Sequence, residues 1–205
     1  MSKTYFSGIC AGFLIGIGGI IYLTLKELNP FLGALLFSFG LYFIIANQYS
    51  LYTGKIGYTL DNKPSYLYKV LLPTLLGNIT GTAVCAFLVC GSNKAKNLCA
   101  AAQGIMEKAN GSFISSFILA FFCGLIMYLA VDVGKRTNGI ERVFAIVVSI
   151  MVFILAGFNH SIADSFYFFM VDFYSNAPRF LLYLVVVIVG NFFGGIFFPL
   201  LKKLL

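Results

Sequence analysis

Apolar and charged positions do not alternate along this chain; they come in blocks. The formal charges bound six charge-free runs, residues 4–25, 28–54, 70–93, 109–131, 143–163 and 180–201. Each run is 21–27 residues long, enough to cross a hydrocarbon core of about 30 Å as a helix rising about 1.5 Å per residue. The runs are continuous and about twice the length of a membrane β-strand. Only helices and closed barrels satisfy their own backbone in lipid, so the pattern predicts six transmembrane helices. A shorter Ala-rich stretch, 97–106, is read as loop. The first run is too long for the apolar core of a secretion signal and lacks a small-x-small cleavage pattern before charge resumes. It is read as part of the mature chain.

Composition agrees. The chain has 205 residues, of which 60% are apolar and 10% charged, with a mean hydropathy of +0.94. A soluble domain carries roughly 25% charged residues. The net charge of +7 forms no patch or stripe, which argues against a nucleic-acid partner. The partner implied is the lipid bilayer of the cell membrane. With the N-terminus inside, the inner segments hold nine Lys and Arg: Lys3, Lys55, Lys63, Lys69, Lys135, Arg136, Arg142, Lys202 and Lys203. The outer segments hold five: Lys26, Lys94, Lys96, Lys108 and Arg179. This excess puts both termini in the cytoplasm.

The runs contain a repeat. Gly77-Asn78-Ile79-Thr80-Gly81 stands near the end of the third, and Gly190-Asn191-Phe192-Phe193-Gly194 near the end of the sixth, 113 residues later. Three crossings per half give halves of opposite topology, an inverted repeat of about 4–93 and 108–204 within one domain, 1–205. The 113-residue offset lays the polar stretch Asn47–Gly54 on His160–Tyr167. Both interrupt apolar runs. Non-helical backbone at membrane depth is tolerated only inside protein or beside a water-filled cavity. Helices two and five are therefore expected to be broken, with the breaks facing each other where such transporters bind substrate.

His160 is the only histidine and lies at one break. An ionisable residue inside a span is a functional hypothesis by default. A single His with no Cys cluster makes no metal site. Phe153 lies seven residues before His160, on the same helix face, and Phe37 and Leu41 share a face of the second helix. Rings flanking a polar centre can gate by sterics or dewetting, although lipid or helix contact explains them equally in a chain with 23 Phe. Lys108 opens the fourth run at the outer mouth, where a cation raises local anion concentration. The five Cys (10, 85, 90, 99 and 123) show no paired spacing and are read as small buried apolar residues. The glycosylation-type triplets at Asn78 and Asn159 lie inside apolar runs, where a glycan has no room. No nucleophile–base pair or cofactor motif is present, so neither an enzyme nor a cofactor is expected.

Together, Gly157-Phe158-Asn159-His160-Ser161-Ile162-Ala163-Asp164, Ser50-Leu51-Tyr52-Thr53-Gly54 and the two GNxxG motifs resemble the formate/nitrite transporter family, over essentially the whole chain. The family includes formate, nitrite and hydrosulfide channels. The resemblance implies an all-α, aquaporin-like protomer of six helices, with helices two and five broken, assembled as a homopentamer with one pore per protomer. It implies that small monovalent anions pass a central His that attracts or protonates them. By position, His160 resembles that His, and Thr53 the Thr that hydrogen-bonds it. Leu51, Tyr52, Phe37, Leu41, Phe153 and Met127 resemble constriction residues, and Lys108 the lysine of the outer vestibule. The chain departs from the family pattern at Asn159 (usually Glu), Asp164 (usually Asn), Gly124 (often Asn) and Ser50 (usually acidic). The expectation is an anion channel or proton-linked transporter. The alternative is a water or neutral-solute channel on the same layout.

Overall fold

A run that must satisfy its own backbone has one simple solution, the α-helix. A computed structural model, which describes residues 2–171 and 173–205, is helical, with no strand among the described residues. The elements are α1 (Ser2–Leu25), α2 (Pro30–Ala46), α3 (Tyr52–Lys55), a 3₁₀ segment (Ile56–Asp61), a π turn (Leu67–Leu71), α4 (Leu72–Cys90), α5 (Ala95–Met106), a 3₁₀ turn (Glu107–Asn110), α6 (Phe113–Arg136), α7 (Gly139–Leu155), α8 (Ser161–Met170) and α9 (Phe173–Leu204). Among the described residues, four stretches are long and apolar enough to cross a membrane: Lys3–Leu25, Leu67–Cys90, Phe113–Arg136 and Ala177–Leu204. Helix α2 is apolar but shorter. Its N-terminal end is set by Asn29, whose side chain accepts the amide of Leu32, and by Pro30 in the first turn.

The run expected to be loop, 97–106, is instead most of α5. Its Leu98, Ala102 and Met106 are buried at a spacing of four, so one apolar stripe holds a short amphipathic helix against the bundle. Lys108 does not open α6 but sits in the 3₁₀ turn before it.

Helix α1 packs along α4, and α6 along α9. The GNxxG glycines make both contacts close. A Cβ on Gly12 or Gly81 would overlap the backbone of Asn78 or Ile9, and one on Gly124 or Gly194 the backbone of Asn191 or Phe121. This is the small-residue packing that lets membrane helices approach. It also gives Gly124 its place, in the α6–α9 contact, where no side chain fits.

The second and fifth runs are both interrupted, and both interruptions begin in the same way. After Ala46 the chain turns through Gln48 at φ 58°, and after Leu155 through Gly157 at φ 70°. Gln48 donates to the Ile45 carbonyl and Tyr49 to Ile44; Gly157 donates to Ile154 and Phe158 to Phe153. Each is a Schellman ending with a left-handed residue at its centre. These equivalent residues are 109 apart, not 113, so the sequence-based register is corrected: Leu51, not Asn47, matches His160. The four extra residues lie after the second break: Gly157 and Asn191 are 34 apart, Gln48 and Asn78 only 30.

Gln48 is the one non-glycine residue at positive φ among the described residues, and a left-handed L-residue costs roughly 1–2 kcal/mol. Gln48→Gly is expected to stabilise the protein by about 1 kcal/mol and Gly157→Ala to destabilise it by a similar amount, read from thermal unfolding in detergent. Nothing lies within 4 Å of a Cβ at Gly157, so an unchanged Gly157→Ala would contradict the assignment.

Candidate functional site

Ending a helix inside the bundle leaves amide and carbonyl groups without helical partners. Two fully buried asparagines meet them. The Tyr52 amide donates to Asn78 Oδ1 (2.8 Å), while Asn78 Nδ2 donates to the carbonyls of Ser50 (2.8 Å) and Gly8 (2.9 Å). In the other half the Ser161 amide donates to Asn191 Oδ1 (2.9 Å), and Asn191 Nδ2 donates to the carbonyls of Asn159 (2.9 Å) and Ala120 (2.8 Å). Each asparagine holds the last residues of a break on the neighbouring close-packed helix pair.

The two held segments meet. Thr53 Oγ1 lies 3.0 Å from His160 Nε2, and both residues are buried. His160 also precedes α8, where its Nδ1 accepts the amide of Ala163 at 3.1 Å. An acceptor Nδ1 carries no proton, so in the neutral ring the proton sits on Nε2, facing Thr53. The positive end of the α8 dipole lies at the same place.

On one side of this pair is a cavity of about 150 Å³ lined by Phe37, Lys108, Phe153, His160, Asp164 and Tyr167, among others. It has room for a small anion with a few waters. The Phe153 ring sits 5.5 Å from the His160 ring and 5.9 Å from that of Phe37, centroid to centroid. Lys108 does not stand free: its Nζ is 2.7 Å from Asp164 Oδ1, and Tyr183 Oη donates to Asp164 Oδ2 at 2.8 Å. Arg179 fixes the turn that carries Lys108, donating to the carbonyls of Ala109, Asn110 and Gly111.

A second cavity, of about 410 Å³, lies below the end of α2 and is lined by Gln48, Tyr49, Lys55, Lys135 and Arg142 together with Ile45 and Ala46. No carboxylate is among its described lining residues. Arg142 reaches the carbonyls of Gly134 and Thr137, covering the end of α6. A narrow continuation of about 20 Å³ leads to Leu51, Gly54 and Val131.

Of the residues singled out from sequence, Thr53, His160, Phe37, Phe153 and Lys108 therefore come together, and Leu51 lines the narrow space of about 20 Å³. Leu41, Tyr52 and Met127 are buried and line neither cavity; Tyr52 Oη donates to the Ile188 carbonyl at 3.3 Å. Asn159 Nδ2 donates to the Ser116 carbonyl at 3.3 Å, while its Oδ1 has no partner. The Asp164 amide donates to the His160 carbonyl at 2.8 Å, while its carboxylate holds Lys108. Sequence reasoning missed the asparagines' role, Tyr183 and the trio of cations lining the second cavity. The repeated Asn inside GNxxG was the available signal for the first. Nothing local in the sequence joins Lys55, Lys135 and Arg142.

The family model described as "Formate/nitrite transporter" matches residues 1–204. The chain is 26% identical over 211 residues to the nitrite transporter NirC of Salmonella typhimurium strain LT2, covering 94% of this chain and 78% of that protein. The Escherichia coli K12 NirC matches at 26%, over 94% and 79%. Among solved structures, a "Pentameric formate channel with formate bound" superposes with a TM-score of 0.83 at 22% identity, covering 99% of this chain and 96% of the other. An "FNT family ion channel" superposes with a TM-score of 0.87 at 23% identity, covering 98% and 89%. These two likenesses establish the fold.

Removing a buried asparagine that makes three hydrogen bonds leaves backbone groups unmet. Asn191→Ala is expected to cost about 3 kcal/mol or more, measured by unfolding in detergent. Phe87→Ala, at a side chain 80% exposed on the outer surface of α4, serves as the near-neutral comparison. Equal losses in the two variants would contradict the bracing role.

Proposed function

The chain belongs to the formate/nitrite transporter family, and from that premise we propose that it is a channel or proton-linked transporter for a small monovalent anion: formate, nitrite or hydrosulfide. The observation that carries this reading is the buried Thr53–His160 pair, 3.0 Å apart, next to one cavity and within the same bundle as a second, cationic one. Its multi-pass, all-helical build fits the same reading.

The four long helices, together with the interrupted runs α2–α3 and α7–α8, make six crossings. The matched glycines, asparagines and Schellman endings support two inverted halves. The Lys and Arg distribution supports cytoplasmic termini in the plasma membrane. That orientation puts Lys55, Lys135 and Arg142 at the inner mouth and Lys108 at the outer one. By likeness to the pentameric neighbour, the assembly is a homopentamer with a pore in each protomer.

The physical difficulty is the charge. Moving a small ion from water into a low-dielectric medium costs on the order of 20 kcal/mol in the idealised limit. The inner cations concentrate anions at their mouth. Phe37, Leu41, Leu51, Tyr52, Phe153 and Met127 keep the centre narrow and apolar. At the centre the Nε2–H of His160, the Thr53 hydroxyl and the α8 dipole take the place of lost water. The ring proton lies where the anion passes, so it can be shared with the anion or transferred to it; a neutral weak acid avoids most of the desolvation cost. Asp164 moderates the outer mouth. It neutralises Lys108, so an arriving anion meets a paired cation and leaves again readily, as conduction requires.

Uptake into proteoliposomes tests this. At least one of the three anions is expected to enter faster than into protein-free vesicles. His160→Ala and Thr53→Ala are each expected to slow it about tenfold or more, equivalent to about 1.4 kcal/mol on the crossing barrier. Asp164→Asn, which unpairs Lys108, is expected to lower the half-saturating concentration about tenfold and to reduce the maximal rate. No uptake of any of the three anions above protein-free vesicles would overturn the reading.

A further inference from the structure

The connection between α4 and α6 carries two cysteines that anion passage does not use. Cys90 is the last residue of α4 and is exposed, and Cys99 lies in the second turn of α5, partly exposed. Their Sγ atoms are 3.7 Å apart, in contact. A disulfide brings two sulfurs to about 2.05 Å, a closure within reach of small side-chain rotations at the end of one helix and the start of another. The remaining thiols are placed differently: Cys85 and Cys123 are buried, and Cys10 lies on the exposed surface of α1. The expectation of five small buried apolar residues therefore holds for two of them.

We propose that Cys90 and Cys99 are a disulfide site that fastens α5 to the end of α4. This rests on the orientation proposed above, which turns the connection toward the outer, oxidising side of the membrane. A small-molecule disulfide is the oxidant. One cysteine thiolate attacks it and releases one small thiol. The second cysteine then attacks the mixed disulfide and releases the other. The protein gives up two protons and two electrons, and the oxidant becomes two thiols.

The place of the bond gives it a purpose. Helix α5 has 12 residues, a length at which an isolated helix is marginal in water. It is held by one buried stripe, Leu98, Ala102 and Met106. It runs directly into the turn that carries Lys108, whose ammonium lines the outer cavity. The bond would tie the first turns of this strap to a membrane-crossing helix and so limit how far Lys108 can move from Asp164.

The chain offers a direct readout. Lys94 and Lys96 are exposed and lie between the two cysteines, so trypsin cuts inside the ring the bond closes. Full-length protein is incubated with oxidised glutathione, alkylated with N-ethylmaleimide in denaturant and digested. Wild type is expected to lose two of its five alkylatable thiols. It is also expected to yield a fragment of residues 70–94 joined to 97–108, which separates on reduction. Cys90→Ser should abolish the joined fragment. Five alkylated thiols, a joined fragment that survives in Cys90→Ser, or a bond between two chains would each overturn the proposal. A membrane-impermeant maleimide applied to intact cells after reduction should label Cys90; protection there would overturn the outward placement. None of these readouts depends on transport, so a failure here is distinct from a failure of the anion-channel reading.

Discussion

Inside a hydrocarbon layer, a helix that stops leaves backbone groups that water cannot reach, and this chain stops two helices in its interior. The side chains of Asn78 and Asn191 make those stops tenable. Each offers one acceptor and two donor hydrogens to three backbone groups, and each sits between glycines that let its own helix lie directly against the partner helix. An amide side chain suits this task because it presents both polarities without a formal charge. The bracket depends in turn on the close packing. A methyl group on Gly12 or Gly124 would collide with the asparagine's own backbone and move the amide out of reach of the break.

The two brackets are equivalent, but what they hold is not. At matching positions one presents Leu51 and the other His160, and Thr53 meets His160 across the divide between the halves. The two bracketed segments thus meet at a polar point between apolar neighbours, with Phe153 touching both the His160 and Phe37 rings. The electrostatics are asymmetric too. The cavity at the end of α2 collects three cations with no carboxylate among its described lining residues. The cavity beside His160 contains a cation already paired, with the Tyr183 hydroxyl holding the other carboxylate oxygen of Asp164. The positive field is therefore stronger in the first cavity than in the second.

Much of this was legible in the sequence. Charge-free runs of membrane length announce the helices, because charges are tolerated only at their ends. GNxxG and the single histidine point to the breaks. The register of the two breaks was not legible, since four more residues separate Gly157 from Asn191 than separate Gln48 from Asn78, a difference no local pattern reveals. Helix α5 was missed because its apolar stripe is short and Ala-rich. The Lys108–Asp164 pair spans 56 positions, and only the packing of α5 against α8 brings those segments together. Gly124 stood out in the sequence only as a departure from the family pattern, which often has Asn there. The helix contact that forbids a side chain there is a property of α9, not of the neighbouring sequence.

The bracketed breaks hold His160 with Nδ1 as acceptor and Nε2–H directed at Thr53. Because the chain has one histidine, ¹⁵N-histidine NMR of the protein in lipid yields a single pair of ring nitrogens. An unprotonated Nδ1 is expected, with a protonated Nε2 that is slow to exchange with solvent. Its signal should shift in Thr53→Ala and on titration with the transported anion. A proton on Nδ1, or an Nε2–H that exchanges freely and ignores both Thr53 and the anion, would contradict this arrangement.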